Sequence, residues 1–256
     1  FGDDHPEMAG AMVNIAELYR SIGDFSSAEK NLSTALGICR RKLGDGHPNT
    51  AKCLNNLAVV QTSMGKYQEA LKHLDASIAV TRLSLGDKHP EHAMSLANRA
   101  ALYLQMGDYR KSIDTIENTL KIYLENFGDN SPRVALLLCN LAWANLMIED
   151  YKAAENLLNR GLRIYDKTVK KEHPERILNL VAMSMTQLSN NKVDSAINYA
   201  RQAAAGRKEL LGTVLSFASE KQRMEFQRTQ WADSMMYSLG DGPELADLVL
   251  YTKGIV

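Results

Sequence analysis

Five of the six prolines in this chain of 256 residues recur at one interval, at positions 6, 48, 90, 132 and 174, each 42 residues after the one before. Columns of asparagine, alanine and aromatic residues keep the same interval. A fixed period of this length indicates an array of similar units, each burying its apolar face against the next. The columns are Asn14, Asn56, Asn98 and Asn140; Ala16, Ala58, Ala100 and Ala142; and Phe25, Tyr67, Tyr109 and Tyr151.

Each period reads as two helices. In the second period Pro48 follows a glycine-containing turn and suits the first turn of a helix, where a missing N–H costs nothing. Apolar residues then recur at helical spacing up to Gly65, and again over residues 67–83. Small side chains at Ala58 and Ala70 would let the two helix axes approach closely. Leu and Ala outnumber the β-branched Val and Ile, so we expect an all-α fold.

These motifs resemble the tetratricopeptide repeat in its long form of 42 residues, the form seen in kinesin light chains. The residues that carry the resemblance are Leu54-Asn55-Asn56-Leu57-Ala58, Gly65-Lys66-Tyr67 and Ala70. It implies a right-handed superhelical solenoid of antiparallel helix hairpins. The five units would span residues 1–43, 44–85, 86–127, 128–169 and 170–212. The last unit is degenerate, as terminal repeats commonly are.

The period is lost after Gly212, and residues 213–256 read as a further helical segment. Ser219 and Gln222 form a capping box that should start a helix reaching about Leu239. Pro243 should open a second helix.

The segment from 213 to 256 carries a second resemblance. The runs Leu215–Arg223 and Leu250–Gly254 look like the region between the repeats and the caspase-like CHAT domain of bacterial TPR–CHAT proteins. That resemblance implies an attached cysteine peptidase domain, which this chain does not contain, and we expect both ends of the chain to be cut. An RNA-guided CRISPR effector is one partner class that the resemblance implies.

Composition argues against several classes of function. Thirty Lys and Arg balance thirty Asp and Glu, so the chain lacks the basic surplus of a nucleic-acid binder or a polybasic membrane anchor. Three scattered cysteines favour a reducing compartment, and we expect a cytoplasmic protein. No catalytic or cofactor-binding motif is present, so we expect neither a cofactor nor an enzyme within these residues.

The recurring His-Pro pairs are the one apparent metal set. Their members are His5, His47, His89 and His173, one repeat or more apart. Ligands of one zinc ion lie about 2 Å from it, whereas packed helix axes are about 8–10 Å apart. These histidines cannot converge, and we expect them to cap helix N-termini instead, with no metal site.

The asparagine column is the candidate binding site. The resemblance places it on the inner, concave face of the array, where an amide could hydrogen-bond an extended peptide. The alternative is that each asparagine bridges its helix to a neighbour, and the sequence leaves both open. Lys52 on the same face resembles part of a carboxylate clamp, but the matching positions in other repeats are not basic. Arg99 is either a snorkelling residue or a partner contact.

The predicted groove changes character along the chain, from polar in the first repeats to apolar in the fourth. The helix around Asn140 is apolar nearly all round, which is typical of a helix buried on every side. Either a partner or the chain's own segment after Gly212 should therefore cover Trp143. The candidate groove residues are Asn14, Lys52, Asn55, Asn56, Met94, Asn98, Ala101, Leu104, Leu136, Asn140, Trp143 and Met147, with Cys139 and Leu146 expected beside the last of them.

Two functions compete. The first is a scaffold that binds a protein or peptide, or its own C-terminal segment or CHAT domain, and so regulates the attached peptidase. The second is an adaptor for cargo, like kinesin light chain, with no peptidase.

Overall fold

The computed structural model describes residues 5–217, and side chains for residues 5–210. These residues form ten helices and no strand. The helices are α1 (Pro6–Ser21), α2 (Phe25–Leu43), α3 (Pro48–Ser63), α4 (Tyr67–Leu85), α5 (Pro90–Gln105), α6 (Tyr109–Phe127), α7 (Pro132–Met147), α8 (Tyr151–Thr168), α9 (Pro174–Ser189) and α10 (Val193–Phe217). The all-α repeat architecture is confirmed, whereas the handedness of the superhelix stays a prediction.

The helices pair into hairpins within two compact units, which divide between Asn126 and Phe127. In the first unit the pairs are α1–α2, α3–α4 and α5–α6, and in the second they are α7–α8 and α9–α10. Helix α10 continues through Gly212, where the sequence period is lost, as far as Phe217. The helices expected from Ser219 and Pro243 lie outside the described residues.

Histidine caps begin four of the five first helices. At His5, His47, His89 and His173, the side-chain Nδ1 accepts a hydrogen bond from the backbone N–H two residues later, at 3.1–3.3 Å. In the fourth repeat the hydroxyl of Ser131 takes the same place. The expectation that the His-Pro pairs are helix caps is confirmed, since each side chain satisfies an N–H that the helix leaves unpaired.

The turn between the two helices of a hairpin needs one residue with positive φ. Glycine supplies it in the first three repeats, as at Gly65, where φ is 74°. The fourth and fifth repeats place Glu149 at φ 66° and Asn191 at φ 59° in the same position. Asparagine adopts this conformation more readily than other non-glycine residues, so the degenerate fifth repeat keeps its turn.

The junctions between hairpins are filled by complementary pairs of side chains. Between α4 and α5, the hydroxyl oxygens of Ser77 and Ser95 lie 3.0 Å apart, and Ser77 also donates to the Ala51 carbonyl. Between α8 and α9, the equivalent positions are Gly161 and Asn179. The Asn179 amide fills the space that a side chain at 161 would occupy, and it has no hydrogen-bond partner although it is completely buried.

We predict that Gly161→Ala destabilises the protein, because the added Cβ would lie 2.5 Å from Asn179 Nδ2, which is buried and cannot swing into solvent. Overpacking of this kind costs about 1–3 kcal/mol, more than the roughly 0.5–1 kcal/mol that alanine gains over glycine in a helix. Denaturant unfolding followed by circular dichroism measures the change.

The control for this prediction is Gly10→Ala, where an added Cβ meets nothing within 4 Å, so that variant should be slightly stabilised. The double variant Gly161→Ser with Asn179→Ser recreates the pair at Ser77 and Ser95, and should recover the lost stability. A Gly161→Ala protein at least as stable as Gly10→Ala would refute the argument.

One histidine of the first unit, His73, is half-buried, and another, His92, is buried. His73 Nδ1 lies 2.7 Å from Gln61 Oε1, and His92 Nδ1 lies 3.2 Å from the Thr81 hydroxyl. Burial lowers the pKa of both imidazoles; Arg40 adds to the effect at His73, whereas Asp87 opposes it at His92. The unfolded chain therefore binds protons at these sites more readily than the folded chain does.

We predict that the first unit loses stability as the pH falls below about 6.5, the ordinary histidine pKa. The stability that these lowered pKa values contribute is fully present above that pH. It is lost as the pH falls through the pKa values of the two imidazoles in the folded state. Denaturation midpoints at pH 7.5 and pH 5.5 should therefore differ less in a His73→Gln, His92→Gln variant than in the wild type. An equal pH dependence in the two proteins would contradict the prediction.

Candidate functional site

Neighbouring first helices of the repeats contact each other in the first unit. Helix α3 contacts both α1 and α5, and Asn98 of α5 donates from Nδ2 to Asn55 Oδ1 of α3 at 2.9 Å. We call the surface shared by these three helices the A face, defined by Asn14, Lys52, Asn56, Met94, Asn98, Ala101 and Leu104.

A chain of amides organises this face. Asn98 donates to Asn55, and Asn55 in turn donates from Nδ2 to Asn56 Oδ1 at 3.3 Å. Asn55 is only 2% exposed, so its amide serves the internal chain rather than facing a ligand. Among the described residues, no hydrogen bond engages Asn56 Nδ2 or Asn98 Oδ1, and neither atom is buried. The chain therefore ends in one open donor and one open acceptor.

The rest of the A face is polar toward the N-terminus. Asn14 and Lys52 are exposed, and Asn56 lines a small cavity with Glu17 and Arg20. Arg20 Nε donates to Glu17 at 2.9 Å, and this hydrogen bond lowers the pKa of the Glu17 carboxyl. The charges of Glu17 and Arg20 on α1 therefore cancel. Lys52 on α3 is exposed and contributes a positive charge to this part of the A face.

On α5 the face turns apolar, with Met94, Ala101 and Leu104 half-buried. Arg99, whose role the sequence left open, lies on the same helix and makes an ion pair with Asp75 of α4 at 3.1 Å. Its guanidinium is therefore held by this chain, although Nε is buried without a partner. The ion pair makes Arg99 part of the α4–α5 junction.

The second unit presents a different first helix. Nine of the sixteen residues of α7 are buried, in agreement with its apolar sequence. Leu136 and Asn140 are half-buried, and Met147 is 39% exposed. Cys139 and Leu146, which the sequence placed on the groove face, are instead buried in the core. The structure assigns these two side chains to the packing of α7 against its own unit.

Trp143 is half-buried and packs against the core cluster of the second unit, which includes Leu158 and Leu180. Trp143 lies one helical turn from Cys139, and burial raises the pKa of that thiol to about 12. Described residues of this chain therefore cover part of the indole. The expected cover from the segment after Gly212 lies outside the described side chains.

Sequence reasoning missed a polar staple beside the A face. Glu29 of α2 accepts from Gln61 at 3.2 Å and from Lys66 at 2.7 Å. The hydrogen bond from Lys66 lowers the pKa of the Glu29 carboxyl. This arrangement joins the first hairpin to the end of α3, and so fixes the helix that carries Asn55 and Asn56.

The same staple recurs three repeats later, where Glu155 accepts from Gln187 at 2.8 Å and from Lys192 at 3.2 Å. A signal was present in the sequence, because lysine stands at positions 66 and 192, where Asp24 and Asp150 cap their helices in other repeats. An amine cannot cap a helix N-terminus, and its repeated presence there points to another use.

Groups of three or more His, Cys, Asp or Glu side chains suited to a metal ion are absent from the part of the chain that the structure describes. None of the described helices is both long enough and apolar enough to span a membrane.

Comparison with known proteins agrees with this architecture. The family model for the tetratricopeptide repeat matches residues 7–82, 58–125 and 93–167. No curated protein matches the sequence significantly.

Among solved structures, the nearly identical TPR-like repeats of a Podosopora anserina protein described as a kinesin light chain are 22% identical, with a TM-score of 0.64 over 80% of this chain and 97% of that one. BtubC (BKLC) from P. vanneervenii is 17% identical, with a TM-score of 0.68 over 81% and 82%. The apo form of RapI is 13% identical, with a TM-score of 0.66 over 96% and 91%. At these identities the likeness concerns the fold.

We predict that Trp143→Ala lowers the stability of the second unit by about 2–4 kcal/mol, somewhat less than truncation of a fully buried aromatic residue. Trp143→Phe should cost less, since phenylalanine keeps part of the packing against the core cluster of this unit. Met147→Ala, one turn further on the same helix and 39% exposed, is the matched control and should change little. Equal unfolding midpoints for Trp143→Ala and Met147→Ala would show that the indole does not support the core.

Proposed function

Because the chain belongs to the tetratricopeptide-repeat family, a family of protein-interaction scaffolds, we propose that its first unit binds an extended peptide segment of a protein partner on the A face. The observation that carries this proposal is the amide chain from Asn98 through Asn55 to Asn56. It holds one donor and one acceptor in fixed positions at the surface.

A peptide backbone offers the complementary groups, a carbonyl that accepts and an N–H that donates, at every non-proline residue. Fixed amides bind it without first losing side-chain freedom, which reduces the entropic cost of binding. Asn56 and Asn98 contact the backbone in this proposal, while Lys52 favours acidic side chains near them. Met94 and Leu104 supply apolar contact, and Asn14 extends the polar surface on α1.

In the second unit, we propose that Leu136, Asn140, Trp143 and Met147 contribute a mainly apolar surface to partner binding. Trp143 and Met147 offer large side chains that are incompletely covered by the described residues. Tryptophan is among the residues that contribute most when a partner covers them.

We further propose that the scaffold regulates an attached caspase-like peptidase domain. What supports this is the resemblance of Leu215–Arg223 and Leu250–Gly254 to TPR–CHAT proteins. A partner of the RNA-guided CRISPR effector class, or the peptidase domain itself, would then be a ligand of the scaffold. We also propose a cytoplasmic location, since the three cysteines are buried without a disulfide in the described residues and disulfides are rare in that compartment.

The test of peptide binding uses extended peptides selected on this protein from a random display library. We predict that Asn56→Ala and Asn98→Ala each weaken the selected peptides about fivefold, since one hydrogen bond contributes about 1 kcal/mol. Asn118→Ala, an exposed asparagine on α6, is the matched control and should leave the Kd unchanged. Fluorescence anisotropy of labelled peptides gives the Kd values, and circular dichroism checks that each variant folds.

Peptides that respond equally to Asn118→Ala and Asn56→Ala would contradict the A face as the binding surface. The peptidase proposal has a separate test, because the coding sequence downstream of Val256 must encode a caspase-like domain with a His and a Cys. Its absence would favour a cargo adaptor like kinesin light chain and leave the peptide-binding proposal intact.

A further inference from the structure

Two cysteines of the first unit face each other across a junction between repeats. Cys39 belongs to α2 of the first hairpin and Cys53 to α3 of the second, and their sulfur atoms lie 3.8 Å apart. Each residue is 2% exposed, within a core cluster that includes Leu36 and Leu57. The two thiols are in contact with each other and shielded from solvent.

The pair is specific to this junction. One repeat later the equivalent positions are Thr81 and Ser95, whose hydroxyls are bonded to other side chains. The third cysteine of the chain, Cys139, is buried separately in the second unit beside Trp143. Cys139 is therefore an internal control with similar burial and without a neighbouring thiol.

We propose that Cys39 and Cys53 are a thiol oxidation site, which closes to a disulfide between the first two repeats when the protein meets a small-molecule disulfide such as oxidised glutathione. The sulfur atoms need to approach from 3.8 Å to about 2.05 Å. Rotation of the two side chains within the contact supplies part of that approach, and adjustment of the helix pair supplies the rest.

The reaction proceeds by two exchange steps. When α2 and α3 separate locally, one cysteine loses its proton to solvent and its thiolate attacks a sulfur of the oxidant, releasing one glutathione thiolate. The second cysteine then attacks the mixed disulfide and releases the second glutathione. Two protein thiols are oxidised to one disulfide, and the oxidant is reduced to two thiols, so that electrons and protons balance.

Burial sets the rate of this reaction. Desolvation, together with the neighbouring Cys39, raises the pKa of the Cys53 thiol to about 12, so the closed junction contains little thiolate. The rate of oxidation therefore depends on how often α2 and α3 separate at this junction. Once formed, the disulfide holds together the two helices and keeps α3, with Lys52 and Asn56, against the first hairpin.

The test exposes the folded wild-type protein to oxidised glutathione, then blocks the remaining thiols by alkylation in denaturant and maps tryptic peptides without reduction. Arg40, Arg41, Lys42 and Lys52 lie between the two cysteines, so trypsin separates them and a linked peptide pair is diagnostic. We expect the pair Cys39–Cys53 in the wild type and in Cys139→Ser. We expect no such pair in Cys39→Ser or Cys53→Ser.

Site-by-site alkylation of the wild type in denaturant, after exposure of the folded protein to the oxidant, tests the same proposal without relying on how the variants fold. Cys39 and Cys53 should lose reactivity together, while Cys139 stays alkylatable, and dithiothreitol should restore both. The oxidised protein should also unfold at a higher denaturant concentration than the reduced protein. Persistent alkylation of both cysteines, glutathione retained on one of them, or a disulfide from either of them to Cys139 would each overturn the proposal.

Discussion

The close approach of the two helices in each hairpin is the contact on which the repeat depends. It is made at one position per helix, and in the second hairpin Ala58 and Ala70 are both completely buried there. Where serine replaces alanine, its hydroxyl donates to the carbonyl of the facing residue, as Ser112 does to Ala100 at 2.9 Å and Ser184 does to Ala196 at 2.8 Å. Only a small side chain fits, and a polar one fits because the opposite backbone is within hydrogen-bonding distance.

Features that depend on neighbours within one repeat could be predicted from the sequence. The His-Pro caps, the helix boundaries and the alanines at the crossings follow from local chemistry repeated every 42 residues. The junctions between repeats could not be predicted in the same way. The match of Gly161 to Asn179, or of Glu29 to Gln61 and Lys66, joins residues far apart in the chain. The sequence around either residue of such a pair gives no sign of the contact, which is evident only when the two residues are placed side by side.

In the candidate site, too, local helical spacing could be predicted from the sequence, whereas contacts between helices could not. Of the two interpretations left open for the asparagine column, the structure shows bridging between helices at Asn98, and peptide binding stays a prediction. Asn98 bridges to the next helix with its nitrogen and leaves its oxygen at the surface. Asn55 is used entirely within the fold, and Cys139 turns inward because α7 is enclosed by its own unit. Helical spacing gives the direction of a side chain to within one face, and the neighbouring helix decides whether that face is covered.

The two units therefore offer different chemistry to a partner. In the first unit, fixed amides and Lys52 favour hydrogen bonds to a polypeptide backbone and to acidic side chains. Such contacts tolerate many sequences, because every peptide carries the same backbone groups. In the second unit, Trp143 and Met147 favour apolar side chains, which differ between partners. Discrimination between ligands requires contacts that differ from one ligand to another, and the apolar surface of the second unit offers contacts of that kind.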